Sequence, residues 1–424
     1  MMYVLFGVFA LLVICNVPIA ASLCLATIVS IVVSDSVPLI VVGQKLFASI
    51  DSFPLMAIPF FMIAGNLMEK GGISKRLIAF ANSIIGALSG GLSLVTILAS
   101  MFFAAISGSS PATVAAIGSI MIPAMVRQGY SKEFATATQA SAGYIGVIIP
   151  PSIPMVTFGV VTGTSIGQLF MAGFIPGALF GGVLMLVAYI TARKNNYMGD
   201  TPASSKEILY TFKDSILALL MPVIILGGIY GGIFTPTEAA NVAVVYGLFV
   251  GIFVYRELKF SDIPEILKKS AISSSLVMLI ISTASAFGLI LTREAIPAQI
   301  AELFLGITSN PIMLLVLINI MLLVIGTFME TNAAIIIMAP IFFPVIMEMG
   351  VNPVHFGVIM VANLAIGMIT PPLGVNLFVS CGLTKLKIEQ VVRANWWYLF
   401  VSLATMGLIT YFPAISMWLP TLLM

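Results

Sequence analysis

Gly143-Tyr-Ile-Gly-Val-Ile-Ile-Pro-Pro-Ser-Ile-Pro154 is an apolar stretch that a double proline interrupts, and Gly367-Met-Ile-Thr-Pro-Pro-Leu-Gly374 repeats its features later in the chain. A shift of 221 residues carries both prolines and the preceding glycine of the first stretch onto those of the second. Two consecutive prolines remove two backbone donors and cannot lie inside a continuous helix. Helix breaks at matching places in two halves of a membrane protein indicate the binding site of a transporter.

The composition predicts an all-α polytopic membrane protein. The chain has 424 residues, of which 60% are hydrophobic and 8% are charged, and its mean hydropathy is +1.16. Residues 77–126, 134–192 and 394–424 contain no charged side chain. Because one crossing takes about 20 apolar residues, roughly ten or more spans fit the chain. We expect residues 1–33 to be membrane structure rather than a cleavable signal, because they lack a basic leading segment.

Several classes of site have no support in the sequence. The chain carries no P-loop pattern for ATP, a net charge of +2 does not indicate nucleic acid, and we expect no organic cofactor. With His355 as the single histidine and no clustered cysteines, we expect no zinc site. His355 follows a helix start, so we expect it at the membrane interface rather than in a proton relay. The three cysteines lie in apolar runs and are expected to be packing or lipid-facing residues: Cys15, Cys24 and Cys381.

The charged residues divide the chain into two halves. Residues 193–214 form the longest polar stretch and are predicted to connect a first repeat at 1–192 with a second at 215–424. Basic loops favour the cytoplasmic side of a membrane, so we expect the connector there. Residues 256–269 should lie on the same side, since 215–255 is long enough for two crossings.

The order of segments also matches between the halves. A shorter mixed segment is expected near 36–50 and near 256–270, and a long helix follows each, near 53–69 and 271–291. A two-fold repeat with an odd number of spans per half would be inverted. The sequence alone does not settle this parity, because the broken segments need not cross fully.

Each half also contains two short apolar arms around a polar turn. The first pair spans 84–126, with Ser107-Gly-Ser-Ser-Pro111 at its turn, and the second spans 310–347, with Gly326 to Asn332 at its turn. Because the arms are short and the turns carry few charges, we predict helical hairpins that enter the membrane and return. The alternative is an ordinary extramembrane loop between two full crossings.

The double prolines are predicted to break the helices at 134–163 and 353–384. Unpaired backbone groups cannot face lipid, so each break must be buried in protein or line a wet cavity. The carbonyl oxygens that unwinding frees, and nearby hydroxyls, suit a hard cation such as sodium. The amino end of the next half-helix suits a carboxylate. The helix break at each double proline thus predicts both parts of a sodium-coupled anion site, the cation ligands and the anion-binding helix start.

Two isolated carboxylates lie in apolar sequence. Glu330 is the only charge between 303 and 347, and Glu238 is the only charge between 215 and 255. A lone carboxylate at membrane depth usually faces a functional cavity, so we expect Glu330 near the ion and substrate, with an interfacial position as the alternative. Glu238 equally well caps the helix that follows Thr235. Asn376 either contacts the substrate or fastens the second break.

The chain resembles the large membrane subunit of tripartite ATP-independent periplasmic (TRAP) transporters over essentially its full length. The resemblance is specific because several stretches occur in one order. These are Gly71-Gly-Ile-Ser-Lys-Arg-Leu77, Ser107–Pro111, Gly143–Pro154, Gly231-Gly-Ile-Phe-Thr-Pro-Thr-Glu-Ala-Ala240 and Gly367–Gly374.

The resemblance implies a fold, a mechanism and partners. It implies two inverted repeats with re-entrant hairpins, an elevator motion of a transport domain against a scaffold, and uptake coupled to about two or more sodium ions. It implies a small four-helix membrane subunit (Q), a periplasmic substrate-binding protein (P) and the bacterial inner membrane. We expect an organic acid as substrate, with sialic acid ahead of a C4-dicarboxylate or another carboxylate. An ion channel or an intramembrane enzyme is the alternative, although no charge ring or filter motif and no base for a serine nucleophile is evident.

The resemblance also assigns residues, although which oxygen binds which ion stays open. Sodium contacts are expected at the two hairpin tips and at the carbonyls before the prolines: Ser107, Ser109, Gly146, Ile149, Gly326, Thr327, Glu330, Gly367 and Thr370. Substrate contacts are expected between the tips: Ser109, Ser110, Pro151, Ser152, Thr331, Asn332, Pro372 and Asn376. Glu238 is a further functional candidate.

Overall fold

The computed structural model describes residues 2–34, 37–296 and 310–423, together with Gln299, Glu302 and Gly306. Every regular element within these residues is helical. The helices of the first half are α1 (Met2–Ile14), α2 (Ile19–Ser34), α3 (Ile40–Ala48), α4 (Ala57–Lys70), α5 (Ile73–Ile85), α6 (Gly91–Ser107), α7 (Ser110–Arg127), α8 (Lys132–Tyr144), α9 (Ile153–Thr162) and α10 (Ile166–Lys194).

The second half follows the same plan. Its helices are α11 (Ser205–Tyr230), α12 (Pro236–Phe249), α13 (Ile263–Arg293), α14 (Pro311–Phe328), α15 (Thr331–Glu348), α16 (Pro353–Gly367), α17 (Val375–Thr384), α18 (Ile388–Tyr411) and α19 (Ala414–Leu423). Two hairpins, α6–α7 and α14–α15, and two broken helices, α8–α9 and α16–α17, are therefore present as the sequence predicts.

The chain is a multi-pass membrane protein. Among the described residues, seven helices are long and apolar enough to cross a membrane, or up to nine if each bent pair is one span. The bent pairs are α3 with residues 53–70, at 61°, and α18 with α19, at 52°. This count is lower than the roughly ten or more spans expected from apolar length. The expectation counted apolar length over the whole chain, whereas this count leaves out the six shorter apolar helices of 10–17 residues.

Three boundaries differ from the sequence expectations. The first hairpin begins at Gly91 rather than at 84, because α5 continues to Ile85 and Gly90, with φ of +74°, turns the chain into α6. Of the segment expected near 256–270, residues 263–270 are the beginning of α13, which continues without a break to Arg293. The polar connector is a loop only to Ser204, whose hydroxyl accepts a hydrogen bond from the Glu207 amide and starts α11.

One face of the molecule carries the ends of α4 and α12, the connector and both ends of the first hairpin, and we call it the basic face. Arg76 binds Glu257 at 2.7 Å and Asp214 at 3.4 Å there. Burial by itself would lower the pKa of Arg76, but the hydrogen bond to Glu257 and the two negative charges outweigh it and raise the pKa. The Gly90 amide also donates to the Tyr197 carbonyl, at 2.9 Å. The connector and residues 256–269 thus share one face, as predicted.

The second hairpin enters from the other face, which we call the distal face. α13 starts beside the basic face and its 31 residues extend about 46 Å. The hairpin that follows begins on the far side, where the Tyr411 hydroxyl donates to the Ile312 carbonyl at 3.0 Å. Because the two hairpins enter from opposite faces, the repeats are inverted.

His355 is a correction to the interfacial position expected from the sequence. Its side chain is buried, because α19 folds back over the start of α16. Its Nδ1 lies 2.6 Å from Ser416 Oγ and its Nε2 lies 3.2 Å from the Thr410 carbonyl oxygen. These two contacts fasten the end of α18, through Thr410, and the start of α19, through Ser416, to the start of the second broken helix.

Candidate functional site

The first hairpin tip rests directly on the first helix break. α6 ends at Ser107, and Gly108, with φ of +59°, reverses the chain into α7. The Ile153 amide, at the start of α9, donates to the Gly108 carbonyl at 3.3 Å. A Cβ added at Gly108 would lie 2.7 Å from the Pro151 carbonyl oxygen. The close approach of these two backbones requires glycine at the tip.

Oxygen atoms cluster where the tip meets the break. The hydroxyls of Ser107 and Thr113 lie 3.0 Å apart, and the Thr113 hydroxyl donates to the Ser109 carbonyl at 2.8 Å. The backbone of Gly146 closes the cluster, since a Cβ added there would lie 2.6 Å from Thr113 Oγ1 and 2.8 Å from the Ser109 carbonyl oxygen. Thr113 was not predicted from the sequence. Its spacing of one helical turn from Ser109 was the available signal.

The double proline explains why a carbonyl is free beside this cluster. In a continuous α-helix, residues 150 and 151 would donate to the carbonyls of Gly146 and Val147, but prolines have no N–H. Ser152 replaces one lost donor, since its hydroxyl binds the Val147 carbonyl at 2.5 Å. Within the described part of the chain, no group donates to the Gly146 carbonyl. Hydroxyls and free carbonyls are the donor set that a sodium ion fits.

The second tip repeats this arrangement. The Gly374 amide donates to the Thr327 carbonyl at 3.2 Å. Gly367 lies so close to Gly326 that an added Cβ would overlap its backbone. The Met368 carbonyl accepts a hydrogen bond from the backbone amide of Asn376 at 3.0 Å. In a continuous helix its donor would be residue 372, which is a proline. Both tips thus lie on the break of their own half.

The two tips differ in what covers the start of the returning helix. Glu330 caps α15 by accepting from the amides of Asn332 and Ala333, at 2.9 and 3.2 Å. A negative charge at a helix start is favourable. The repeat shift carries Glu330 onto Ser109, whose side chain makes no capping hydrogen bond to α7. The start of α7 is therefore the one of the two without a carboxylate cap.

The halves are joined by hydrogen bonds between the hairpin of one and the broken helix of the other. The Ser110 hydroxyl donates to the Asn376 amide oxygen at 2.8 Å, and the Asn376 amide nitrogen donates to the Ala140 carbonyl at 3.0 Å. The Thr157 hydroxyl likewise donates to the amide oxygen of Asn332, at 2.9 Å. These contacts agree with the interpretation that Asn376 fastens the second break.

The predicted substrate contacts differ in burial and in the hydrogen bonds that they form within the protein. Ser110, Ser152, Asn332 and Asn376 are buried and already hydrogen-bonded within the protein. Thr331 is buried, and no group of the described chain contacts its hydroxyl through a hydrogen bond. The remaining predicted substrate contacts differ in exposure: Pro151 is buried, Ser109 is half-buried, and Pro372 is exposed.

Glu238 lies away from the tips, at the start of α12. Its carboxylate accepts from the amide and the hydroxyl of Thr235, each at 2.8 Å, and the Glu238 amide donates back to the Thr235 hydroxyl at 3.3 Å. This reciprocal pair is a capping box. The helix-capping alternative thus accounts for the contacts of Glu238.

A cavity of about 360 Å³ reaches the first tip from the basic face, and we call it the basic-side cavity. A smaller space of about 220 Å³, lined by Lys70 and Glu265, shares residues with it and continues toward that face. The polar residues that line the larger cavity come from the tip and from α4 and α13: Asn66, Glu69, Ser107, Ser109, Lys269 and Ser273.

A second cavity of about 460 Å³, the distal-side cavity, lies between α3, α9, α13 and α15. It is the counterpart of the first under the repeat, because α9 and α15 correspond to α17 and α7. Its residues nearest the second tip are Ile336 and Val160, about one turn beyond Asn332 and Thr157. The basic-side cavity therefore reaches a tip, whereas the distal-side cavity ends short of one.

Comparison with proteins of known name supports the same fold and class. The isethionate TRAP transporter permease protein DctMQ of Oleidesulfovibrio alaskensis is 50% identical over 98% of this chain, which spans 66% of that longer protein. The C4-dicarboxylate large permease DctM of Rhodobacter capsulatus is 42% identical over 99% of both chains. The sialic acid large permease SiaM of Vibrio cholerae is 39% identical over 96% and 95%.

The fold is also that of a solved transporter. The crystal structure of the Alcanivorax borkumensis YdaH transporter matches with a TM-score of 0.63 over 90% of this chain and 87% of that chain, at 16% identity. The relatives are named as transporter permeases, in agreement with the expectation that the chain is not an enzyme. A family model described as "Tripartite ATP-independent periplasmic transporter, DctM component" matches residues 6–415, and the chain belongs to this family.

Proposed function

We propose that the protein is the sodium-coupled membrane permease of a TRAP importer for a small organic anion. The observation that carries the proposal is the oxygen cluster between the first tip and the first break. Ser107, Ser109, Thr113 and Gly146 bring hydroxyl and carbonyl oxygens together inside the protein. Sodium is the co-transported cation that such oxygens favour.

A second sodium position is proposed at the second tip, where Thr327, Glu330 and Thr370 lie with the backbones of Gly326 and Gly367. The Glu330 carboxylate would compensate the charge of an ion there even though it also caps α15. The unpartnered hydroxyl of Thr331 supports a ligand at this tip, because buried polar atoms are rarely left without a partner. Two inverted sites then give about two ions per cycle.

The substrate is proposed to bind beside Ser109 at the start of α7. That helix start has the partial positive charge that attracts a carboxylate or sulfonate, and no side chain caps it. The basic-side cavity of about 360 Å³ fits a small organic acid. Because the isethionate and C4-dicarboxylate relatives share more identity with this chain than the sialic acid relative does, we place small sulfonates and dicarboxylates ahead of sialic acid.

We further propose that the hairpins and broken helices move together as the transport domain of an elevator, against a scaffold that includes α4, α11, α12 and α13. The basic face is assigned to the cytoplasm because basic residues concentrate there. In this assignment the structure is open to the cytoplasm, and the membrane is the bacterial inner membrane. A small membrane subunit and a periplasmic binding protein complete the transporter.

The test is uptake into proteoliposomes that contain this chain, the small membrane subunit and the binding protein. Radiolabelled isethionate, succinate and N-acetylneuraminate are offered with and without an inward sodium gradient. We expect accumulation of at least one of the three that stops when the gradient is collapsed. Equal accumulation without the gradient would refute the sodium coupling, and current through single open pores would identify a channel instead.

A further inference from the structure

The distal-side cavity has a single charged residue in its wall. Lys45 lines it together with the hydroxyl side chains of Ser49, Ser285 and Thr292, and no carboxylate lines it among the described residues. The Ser282 hydroxyl donates to the Leu46 carbonyl at 2.6 Å, which fixes α3 against α13. Lys45 is exposed, and the placement of its helix puts it in the wall of this cavity.

The inverted repeat provides an internal comparison. α3 corresponds to the beginning of α13, where Lys269 lines the basic-side cavity. Lys269 is paired there with Glu69, with 3.5 Å between Nζ and Oε2. Lys45 has no carboxylate within ion-pair distance in the described chain. One cavity therefore has a lysine in an ion pair, and the other has a lysine that forms no ion pair with any carboxylate of the described residues.

We propose that Lys45, with the hydroxyl of Ser285 in the same wall, forms an anion-binding vestibule that receives the substrate from the distal face. The inference rests on the proposed function. A single positive charge at a cavity with low-dielectric walls concentrates anions and speeds their arrival. The inner end of the vestibule lies about one helical turn from the bond between Thr157 and Asn332, which joins the second tip to α9.

The comparison also explains the difference between the two sides. An anion that leaves through the basic-side cavity passes a lysine whose charge Glu69 already balances, so this wall does not retain it. An anion that arrives from the distal face meets an unbalanced charge. Capture on one face and weak retention on the other favour the kinetics of import, while the sodium gradient supplies the driving force.

The first test is direct anion binding and needs no transport. The complete transporter in membranes is labelled from the distal face with a membrane-impermeant sulfosuccinimidyl ester, and acetylation of Lys45 is followed by mass spectrometry. We expect isethionate or succinate to slow labelling of Lys45 roughly threefold relative to sodium chloride of equal ionic strength. Labelling of Lys206, measured in a parallel sample with the ester applied to the basic face, should not change. Equal labelling rates of Lys45 with and without the organic anions would overturn the proposal.

The second test separates substrate capture from docking of the binding protein. At saturating loaded binding protein, Lys45→Gln should reduce the uptake rate roughly fivefold, while Lys45→Arg keeps most of it and Lys206→Gln is unchanged. The half-saturating concentration of binding protein should stay at the wild-type value. A defect confined to that concentration would assign Lys45 to docking and refute the vestibule. If the wild-type protein transports and the Lys45→Gln variant transports equally fast, the vestibule is refuted. The proposal of a sodium-coupled function is then unaffected.

Discussion

Gly146 is the residue at which the first hairpin and the first break approach most closely. A methyl group there would lie 2.6 Å from Thr113 Oγ1 and 2.8 Å from the Ser109 carbonyl oxygen. We expect Gly146→Ala to push the tip away, to cost about 1–3 kcal/mol through overpacking, and to abolish most sodium-driven uptake. Uptake and thermal unfolding of the purified protein measure the two effects.

Gly182 offers a matched control, because a Cβ added there meets nothing within 4 Å. Gly182→Ala should leave uptake unchanged and unfolding unchanged or slightly higher, since alanine favours a helix interior. Uptake by Gly146→Ala equal to that of Gly182→Ala would contradict the close approach of tip and break.

Asn376 joins the second break to the first half through two buried hydrogen bonds. Asn376→Ala leaves the Ser110 hydroxyl and the Ala140 carbonyl without their partner, and we expect it to lower the free energy of unfolding by about 2–3 kcal/mol. A double-mutant cycle with Ser110→Ala measures the pair directly, and the two losses should not add. An unchanged melting temperature together with lost uptake would instead favour the substrate-contact alternative.

At the scale of single residues, the sequence predicted which positions lie at the tips and breaks better than it predicted what they contact. Ser107, Ser109 and Gly146 were identified, because hydroxyls and a glycine beside a double proline are local features. The bond between Ser110 and Asn376 connects residues 266 positions apart and leaves no local signal. Thr113 was missed because its hydroxyl is meaningful only once the helix start at Ser110 is known.

Glu330 and Glu238 both cap a helix start, so comparing them distinguishes a role in capping from a role in transport. Glu330 caps α15 at the second tip, and Glu238 caps α12 away from the tips. Replacing either by glutamine should cost about 1 kcal/mol of stability, because an amide is a weaker cap than a carboxylate. We expect Glu330→Gln to lower uptake severalfold and Glu238→Gln to leave it near wild type. Loss of uptake in both variants, or in neither, would show that Glu330 has no role at the ion site.

At the scale of elements, breaks were predicted well and uninterrupted helices were not. Proline lacks an N–H wherever it stands, so the double prolines marked both breaks without knowledge of the fold. The extent of α13 depends on its packing against α2, α4 and α15 rather than on a local signal. For this reason its beginning, residues 263–270, was expected to belong to a separate segment. The turn at Gly90 similarly moved the start of the first hairpin.

At the scale of the whole molecule, the two repeats have the same arrangement of helices, but the cavities beside them reach to different depths. Each tip lies on the break of its own half, and each hairpin bonds to the broken helix of the other half. The basic-side cavity nevertheless reaches Ser107 and Ser109, while the distal-side cavity stops about one turn short of the second tip. The sequence predicted the symmetry but contained no information on which side is open, because that is a property of one conformation.

The central claim is that the first tip is reached from the two faces in alternation. Ala112→Cys places a thiol in the basic-side cavity, in a background where the three native cysteines are replaced by alanine. Impermeant thiol reagents are applied from each face, at rest and during sodium-driven uptake. We predict rapid labelling from the basic face at rest, with labelling from the distal face gained only during uptake. Labelling from the basic face alone under every condition would contradict the account.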